Sequence, residues 1–398
     1  MPNNTFSKLY TFQNSKIRLE EFMQNKLSQY KYKRNYDFGE LDKNFVSGLS
    51  PAISRRIITE FEVIKEIRKH FNFREVEKYI DEICWRTYWK GFLEHYPQIW
   101  YDYLDDIDDF KSFNLSEYQN ALNGRTKINC FNIWVNELKI NGYLHNHTRM
   151  WFASIWIFQL ELPWQLGAHF FLQNLLDADA AVNTLSWRWV AGLHTKGKSY
   201  RASPNNINKF TNSRFSITDQ FKNTINSILD ERSYEKKKIN FSKLEQSKNI
   251  TGNHGVIFHE KDLSRYDLKK DDFILIQKSH FNPYDTSKAV ENFTNKSLSS
   301  FGKNLENLHN FNITYFDWDQ LETINVWKNK YNIKSVSISY PCVGKLVKPI
   351  KDAQKYFNVN FRYYTHEWDR LFWPQSSKGF FKLKKYIKKN IKVLLEPN

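Results

Sequence analysis

One segment, residues 124–189, constrains the fold more than any other part of the chain. Its apolar residues recur at helical spacing over 128–144 and again over 150–176, which predicts packed helices. A polar cluster, LHNHTRM, and an acidic turn, DADAAVN, lie between and after these apolar runs. Polar side chains that project from packed helices need polar partners. The segment therefore predicts a helix-lined pocket with polar groups in its walls.

The polar residues of this segment suggest what the pocket holds. A buried guanidinium needs a carboxylate, and tertiary folding can bring Asp177 or Asp179 to Arg149. Asn146 and Asn183 add amide groups without adding charge. Such a set suits a large, flat, polar-edged cofactor that is bound without a covalent bond. The alternative is that the polar residues are helix caps and surface pairs, and that the tryptophans are ordinary core.

Charge and cysteine content narrow the class of protein. The formal net charge of +16 over 398 residues favours an anionic partner such as nucleic acid, although a generally basic surface would give the same number. Three widely spaced cysteines indicate no disulfide framework and no zinc or iron–sulfur site, so we predict no metal and expect the cytoplasm. The N-terminus lacks the apolar core of a signal peptide, and polar residues interrupt the most apolar run. We therefore expect no membrane segment. We also expect a monomer.

The hydrophobic period changes along the chain. Residues 1–235 read as helices, 236–253 as a polar linker, and 254–398 as strand-length apolar runs that alternate with helices. The runs are GVIFH, FILIQ, ITYF, SVSISY and FRYY. The predicted fold is thus an all-α domain followed by an α/β, Rossmann-like domain with a parallel sheet. No G-x-G-x-x-G follows a strand, so the dinucleotide fingerprint is absent.

The motifs of the helical segment occur in a recognisable order. From Gly-Arg-Thr at 124–126, through LHNHTRM and DADAAVN, to WRW at 187–189, the run resembles the FAD-binding domain of the photolyase and cryptochrome family. The resemblance implies that Arg149 pairs with Asp177 beside the isoalloxazine, and that Asp177 and Asp179 hold flavin or ribityl groups. It also implies that Asn146 contacts FAD and that Asn183 lies opposite flavin N5. Asparagine cannot donate a proton there as an acid would.

Upstream residues extend the implied cofactor site. VSGLSP precedes a helix expected to start near Ser54. The backbone amides and serine hydroxyls of this segment suit a pyrophosphate. An ordinary turn followed by a helix cap would have the same sequence pattern. The family keeps a serine-rich segment at this point. The upstream cofactor residues that the resemblance implies are Tyr36, Ser47, Gly48, Leu49, Ser50, Tyr79 and Arg86.

Four residues resemble the lesion pocket of the repair enzymes. Glu82 and Trp85 lie three apart on a helix predicted over 75–95 and would hydrogen-bond and stack on a damaged base pair. Trp189 would form the second wall, and Met150 matches the methionine of cyclobutane-dimer photolyases. A structural tryptophan with a surface glutamate is the alternative. His147 departs from the family, which commonly has arginine there.

Tryptophans relay electrons to the flavin in this family. Trp187 and Trp164 match the inner two members of the relay, which with Glu82 and Asn183 are the implied catalytic residues. The outer member aligns near Lys111, which carries no electrons. Trp156, Trp151, Tyr118 and Trp134 are the candidates to replace it.

The remaining segments suggest DNA contacts and an unusual domain order. The turn-rich segment after Trp189 places Lys196, Lys198 and Arg201 where they can contact phosphates, although an ordinary surface loop would look alike. VIFHEKDLSRYD resembles the opening strand of the family's antenna domain. The resemblance implies a second chromophore in that domain, whose identity is unknown. That domain comes first in ordinary members, so its position here suggests a circular permutation.

The combined expectation is a light-driven lyase that repairs cyclobutane pyrimidine dimers in DNA. Two other functions stay open. One is a cryptochrome-like blue-light photoreceptor that uses the same flavin, and the other is a flavoprotein or nucleic-acid binder without photochemistry.

Overall fold

The protein is described by a computed structural model that covers residues 8–110, 116–195, 197–215, 217, 221–222, 228, 232–239, 241, 252–264, 268–309, 311–357 and 360–395. Lys111 and Lys196 lie outside the described residues, as do residue 240 and residues 242–251 of the predicted linker. Helices occupy the first part of the chain, and a part built on a sheet follows them.

The helical part contains the following helices. They are α1 (Phe12–Asn25), α2 (Leu27–Lys33), α3 (Ser50–Ser54), α4 (Glu60–His70), α5 (Phe73–His95), α6 (Gln98–Asp109), α7 (Ser116–Leu122), α8 (Asn129–Asn141), α9 (Asn146–Phe158), α10 (Trp164–Asn174), α11 (Ala180–Ala191) and α12 (Pro204–Phe210). Short 3₁₀ helices cover Leu41–Lys43 and, near the end of the chain, Trp373–Lys378.

The second part alternates strands and helices. They are β1 (Asn253–Phe258), β2 (Phe273–Gln277), α13 (Lys288–His309), β3 (Asn312–Phe316), α14 (Leu321–Lys330), β4 (Ile333–Ser339), α15 (Val347–Phe357), β5 (Asn360–Tyr364), α16 (Glu367–Phe372) and α17 (Phe380–Leu395).

Local signals set several helix ends. α8 stops at Gly142, whose φ of 63° suits glycine, and α9 and α10 are separated where Glu161 takes a φ of 54° before Pro163. The helix expected near Ser54 was misplaced, since α3 begins at Ser50 with Pro51 in its first turn and ends at Ser54. The chain also breaks at Lys26, which separates α1 from α2.

The sheet is parallel throughout, with strand order β3-β2-β1-β4-β5. The predicted fold class is confirmed as a mostly helical chain with a five-stranded parallel sheet. The chain adds β2 and β3 on one side of β1 and then β4 and β5 on the other side. At this switch point, between β1 and β4, the carboxyl ends of the two strands border a crevice. That crevice faces the helical part, as the loops lining it show below.

Alternate residues of β1 and β2 enter two different cores. Val256, Phe258, Ile274 and Ile276 join a large core that continues into the helical part, α13 and α17. Ile257 and Leu275 point to the other face, under α14 and α15. The period-2 alternation of a strand buried on both faces explains the continuous apolar runs in the sequence.

Buried charges also join the two parts. Arg56 pairs with Asp262, after β1, at 3.2 Å and with Asp369 of α16, and its side chain is 6% exposed. Arg55 donates to Thr294 of α13 at 2.8 Å. An unpaired guanidinium would be costly in this interior. The sheet-containing part therefore supplies polar partners for these two arginines of the helical part.

None of the helices in the described residues is long and apolar enough to cross a membrane.

Candidate functional site

The predicted cofactor carboxylates each hold one arginine. Asp177 binds Arg149 through two contacts, at 3.1 and 3.0 Å. Asp179, the N-cap of α11, binds Arg86 of α5 at 2.6 Å and accepts a hydrogen bond from the Val182 amide at 2.8 Å. The acidic turn therefore anchors α9 and α5 at one place, as the sequence predicted for Arg149.

Burial alone would raise the pKa of both carboxyl groups. The Arg149 guanidinium and a hydrogen bond from Ser50 reverse this for Asp177, and Arg86 and Lys90 reverse it for Asp179. Both carboxylates are consequently ionised at neutral pH. Arg86 also approaches Glu60, with 3.5 Å between its Nε and the carboxylate.

Asn183 lies one turn after Asp179 on α11. Its side chain is buried, and its amide nitrogen donates to the Ala168 carbonyl at 2.7 Å. This bond fixes the orientation of the amide.

The serine-rich loop 47–50 leads into α3 beside helix α1. Gly48 has a φ of 71°, and the Leu49 amide donates to the Ser47 hydroxyl at 3.3 Å. Arg18 of α1 donates through Nε to the Ser47 carbonyl at 2.8 Å. Its Nη2 is buried and has no hydrogen-bond partner among the described residues. A buried cationic donor in this state suits an anionic group, and sequence reasoning missed it because nothing in α1 signals a ligand.

Tyr79 of α5 packs behind the same loop. Burial raises its pKa to about 12, and a hydrogen bond with Ser47 opposes that shift. Its ring meets Tyr30 edge-on with centroids 5.1 Å apart. Tyr79 thus connects the loop to the core formed by α1, α2 and α5.

Two predicted cofactor residues have other surroundings. Tyr36 stacks on Phe38, with centroids 5.7 Å apart, and meets Phe210 edge-on. Asn146 is exposed at the first residue of α9. Neither has a contact in the described residues that ties it to the Arg149 and Asp177 pair.

Glu82 and Trp85 share one face of α5, and the structure gives each a partner that the sequence did not indicate. Glu82 binds Arg34 at 2.5 Å, and burial raises its pKa while Arg34 opposes that shift. Phe380, the first residue of α17, stacks on Trp85 with centroids 3.5 Å apart and planes 4° apart. Both partners lie far away in sequence, so no local signal could have shown them.

The second predicted wall lies on α11. Trp189 is partly exposed and stacks on Tyr200, with centroids 5.9 Å apart. The Tyr200 hydroxyl lies 3.3 Å from Nε2 of His147, the residue that departs from the family pattern. Met150 is partly buried on α9. His147 therefore positions the loop that carries Tyr200.

Two rows of aromatic rings extend from the predicted relay residues, one from Trp187 and one from Trp164. Trp187 meets Trp156 with centroids 6.3 Å apart, and Trp156 meets Tyr118 at 6.0 Å. Gly167 permits the first contact, since a Cβ there would lie 2.3 Å from Trp187 and 2.9 Å from Trp156. Trp164 stacks instead on Tyr103 at 5.8 Å.

A cavity of about 80 Å³ lies at the carboxyl ends of β1, β2 and β4, against the helical part. Lys90, Lys261, His280 and Tyr284 are among its lining residues. Burial lowers the pKa of Lys261 to about 7. Sequence reasoning missed this cavity because loops after three separate strands build it, and these loops meet only in the folded chain.

Comparisons with known proteins agree with the helical motifs. Residues 79–240 match the family model described as the FAD binding domain of DNA photolyase. A deoxyribodipyrimidine photo-lyase of Agrobacterium fabrum is 30% identical over 185 residues, covering 44% of this chain and 37% of that protein. A cryptochrome DASH of Idiomarina loihiensis is 27% identical over 180 residues, covering 43% of this chain and 39% of that protein.

The solved structures show a similar extent of overlap. A bacterial class III photolyase from Agrobacterium tumefaciens aligns with a TM-score of 0.42 and 26% identity, over 51% of this chain and 43% of that one. The chain spans less than half the length of the curated relatives it matches.

Proposed function

We propose that the chain repairs cyclobutane pyrimidine dimers in DNA with blue light, as a member of the photolyase and cryptochrome family, whose FAD-binding domain residues 79–240 match. The observation that carries the proposal is the contact between Arg86 and Asp179. Arg86 directly follows Trp85 on α5, so this contact joins the helix with the implied lesion residues to the turn with the implied flavin residues.

The chemistry of the donor set fits FAD. Ser47, Ser50 and the buried Nη2 of Arg18 would hold the diphosphate. Arg149, Asp177 and Asp179 would hold the flavin and ribityl groups, with Asn183 on the same helix as Asp179. When bound and reduced, FAD supplies on excitation the electron that splits the dimer, and takes it back afterwards.

The protein's own residues would bind and orient the lesion. Trp85 and Trp189 would stack on the two pyrimidines of a flipped dimer, at an unstacking cost of a few kcal/mol that the damage already reduces. Glu82 would accept hydrogen bonds from the base edges, and Arg34 opposes the rise that burial causes in the pKa of its carboxyl group. Met150 would contact the dimer from α9.

The test is repair of an oligonucleotide that carries one thymine dimer, using purified, chemically reduced protein in blue light and in the dark. We expect light-dependent loss of the dimer. Glu82→Ala should lower repair while FAD stays bound, and Glu40→Ala, at an exposed carboxylate, is the matched control. No repair with fully reduced FAD present would contradict the proposal, and loss of FAD from the Glu82 variant would contradict the role of Glu82.

One observation favours a cryptochrome-like photoreceptor as the second candidate. Phe380 covers one face of Trp85, the residue that a repair enzyme must offer to its substrate. Bound FAD that is reduced by light, without repair under the conditions above, would support this function.

We also propose a permuted domain order. A helical FAD domain at 1–235 and a linker at 236–253 would precede an antenna-like domain at 254–398, and the position of the sheet after the matched residues 79–240 supports this. Superposition of the sheet on the antenna domain of a solved family member would test the order.

We further propose a monomer that acts on DNA in the cytoplasm. Sedimentation of the purified protein and microscopy of a tagged chain would test these two statements.

A further inference from the structure

The cavity between the two parts contains more cationic groups than the protein neutralises. Arg55, Lys90 and Lys261 all line it. Arg55 and Lys90 are only 2% and 7% exposed. None of these three side chains forms an ion pair with a carboxylate of the described residues. Because a buried cation without a counter-charge is costly, the walls of this cavity call for a negative charge inside it.

The same three side chains have unused hydrogen-bond donors. The Lys90 ammonium group has no hydrogen-bond partner in the part of the chain that the structure describes. Lys261 donates to the Ala178 carbonyl at 3.1 Å, which uses one of its three N–H groups. The Nε of Arg55 is buried and has no partner among the described residues. Buried donors are nearly always satisfied in folded proteins, so these donors indicate an acceptor in the cavity.

The carboxyl groups in the cavity wall are already bound elsewhere. Asp179 pairs with Arg86 at 2.6 Å. Asp262 pairs with Arg56 at 3.2 Å. Glu94 accepts two hydrogen bonds from the loop after β4, at 2.7 and 2.8 Å, and burial raises its pKa to about 7. The wall therefore supplies little negative charge that is free to neutralise the lysines.

The pKa of Lys261 agrees with a positive environment. Burial lowers this pKa to about 7, and the nearby cations Lys345 and Arg55 lower it further, whereas Glu260 and Asp179 oppose the shift. An anion in the cavity would favour the charged form of Lys261.

The size of the cavity limits what it can hold. Its volume of about 80 Å³ exceeds the ~10–15 Å³ that one water needs, and is well below the ~300–1,000 Å³ of sites for drug-sized ligands. A tetrahedral oxyanion therefore fits, whereas a fused-ring chromophore does not. Water could accept the free hydrogen bonds, but it would leave the cations unneutralised. The position at the switch point of a parallel sheet is where such sheets bind ligands.

We propose that this cavity binds a small divalent oxyanion, of the phosphate or sulfate class, through Lys90, Lys261 and the Nε of Arg55. Lys90 and Arg55 belong to the helical part, and Lys261 follows β1, so the anion joins the two parts. The site is separate from the implied FAD site, since Ser47 and Arg149 are not among its lining residues. The inference goes beyond dimer repair and does not depend on it.

The test titrates the FAD-bound protein with inorganic phosphate in a calorimeter, in Tris chloride at constant ionic strength. We expect saturable binding of one phosphate, and a higher unfolding temperature in phosphate than in chloride. K90Q/K261Q should weaken phosphate binding about 100-fold, because each lost charge-assisted hydrogen bond accounts for about tenfold. K78Q/K270Q is the matched control, since it removes the same charge from exposed lysines of α5 and of the segment before β2. We expect the control to bind phosphate as tightly as the unaltered protein.

Three results would overturn the proposal. They are no phosphate binding by the unaltered protein, equal weakening in the two double variants, and release of FAD by phosphate, which would assign these cations to the FAD site. AMP distinguishes a free oxyanion from the phosphate group of a larger ligand, and tighter binding of AMP than of phosphate would also contradict the proposal.

A pair of single variants keeps the test valid if the double variant does not fold. Lys90→Arg keeps the charge and should bind phosphate more tightly than Lys90→Gln. Equal affinities of these two variants would contradict the role of Lys90. Circular dichroism of each variant checks that the fold is intact.

Discussion

Phe380 lies flat against Trp85, with planes 4° apart, although α17 and α5 are far apart in the sequence. A pyrimidine dimer that stacks on this face of Trp85 must first displace Phe380. Aromatic pairs of this kind contribute about 0.5–1.5 kcal/mol beyond their buried area.

Replacing Phe380 should therefore change dimer binding. We expect Phe380→Ala to bind a dimer-containing oligonucleotide up to about tenfold more tightly, as the stacking energy no longer opposes binding. Phe381→Ala is the control, because Phe381 is 76% exposed. Weaker binding by the Phe380 variant, with its fold intact, would show that Phe380 supports Trp85 from the face that the lesion does not use.

Arg18 should contribute to FAD affinity. Its buried Nη2 offers a charge-assisted hydrogen bond beside the serine-rich loop. Arg18→Gln is expected to weaken FAD binding about 10- to 100-fold, the equivalent of ~1.5–3 kcal/mol, in fluorescence titrations of the apoprotein. Lys16→Gln on the same helix should leave the affinity unchanged. Equal affinities of the Arg18 variant and the unaltered protein would place the diphosphate elsewhere.

Light-driven reduction of bound FAD should depend on two aromatic rows. Trp187→Phe should slow reduction by a thiol in blue light at least about tenfold, because Trp187 is the implied inner member. Trp156→Phe and Trp164→Phe should each slow it less, and together as much as Trp187→Phe. Trp327→Phe serves as the control, since Trp327 is buried in the core on the other face of the sheet. An unchanged rate in Trp156→Phe would leave only the row through Trp164.

His194 should make the protein sensitive to acid. Burial lowers its pKa to about 4, and its Nε2 lies 3.0 Å from the Tyr88 hydroxyl. A lowered pKa in the folded state gives stability that is present above the unfolded pKa near 6.5 and is lost as pH falls towards 4. Of this loss, His194 should account for about 2–3 kcal/mol.

Urea unfolding at pH 7, 5.5 and 4.5 measures that contribution. His194→Gln should flatten the dependence of unfolding free energy on pH, whereas His70→Gln, at an exposed side chain, should not. The same slope in all three proteins would show that other groups, such as His145, dominate the acid response.

Much of the fold followed from periodicity. The five apolar runs of the second part became β1 to β5, since strands buried on both faces have continuous apolar sequences. The helix over 75–95 is present as α5, and Arg149 does pair with Asp177. For the strands and α5, the hydrophobic period left few alternative structures. For Arg149, the free-energy cost of an unpaired buried charge required a carboxylate partner.

The contacts that periodicity could not predict join distant segments. Arg34 and Glu82 are 48 residues apart, and nothing around Arg34 distinguishes it from its basic neighbours. Arg18 lies in an ordinary amphipathic helix, yet it reaches the serine-rich loop. Such partners depend on how helices cross, which one sequence does not specify.

Arg56 has a consequence for any gene that encodes these two parts. Its partners Asp262 and Asp369 belong to the sheet-containing part, whereas Arg56 itself belongs to the helical part. Contacts between these side chains thus join the two parts, independently of the peptide that connects them. A gene split at residues 236–253 would encode two polypeptides, and Arg56 would meet Asp262 and Asp369 only after these polypeptides assemble.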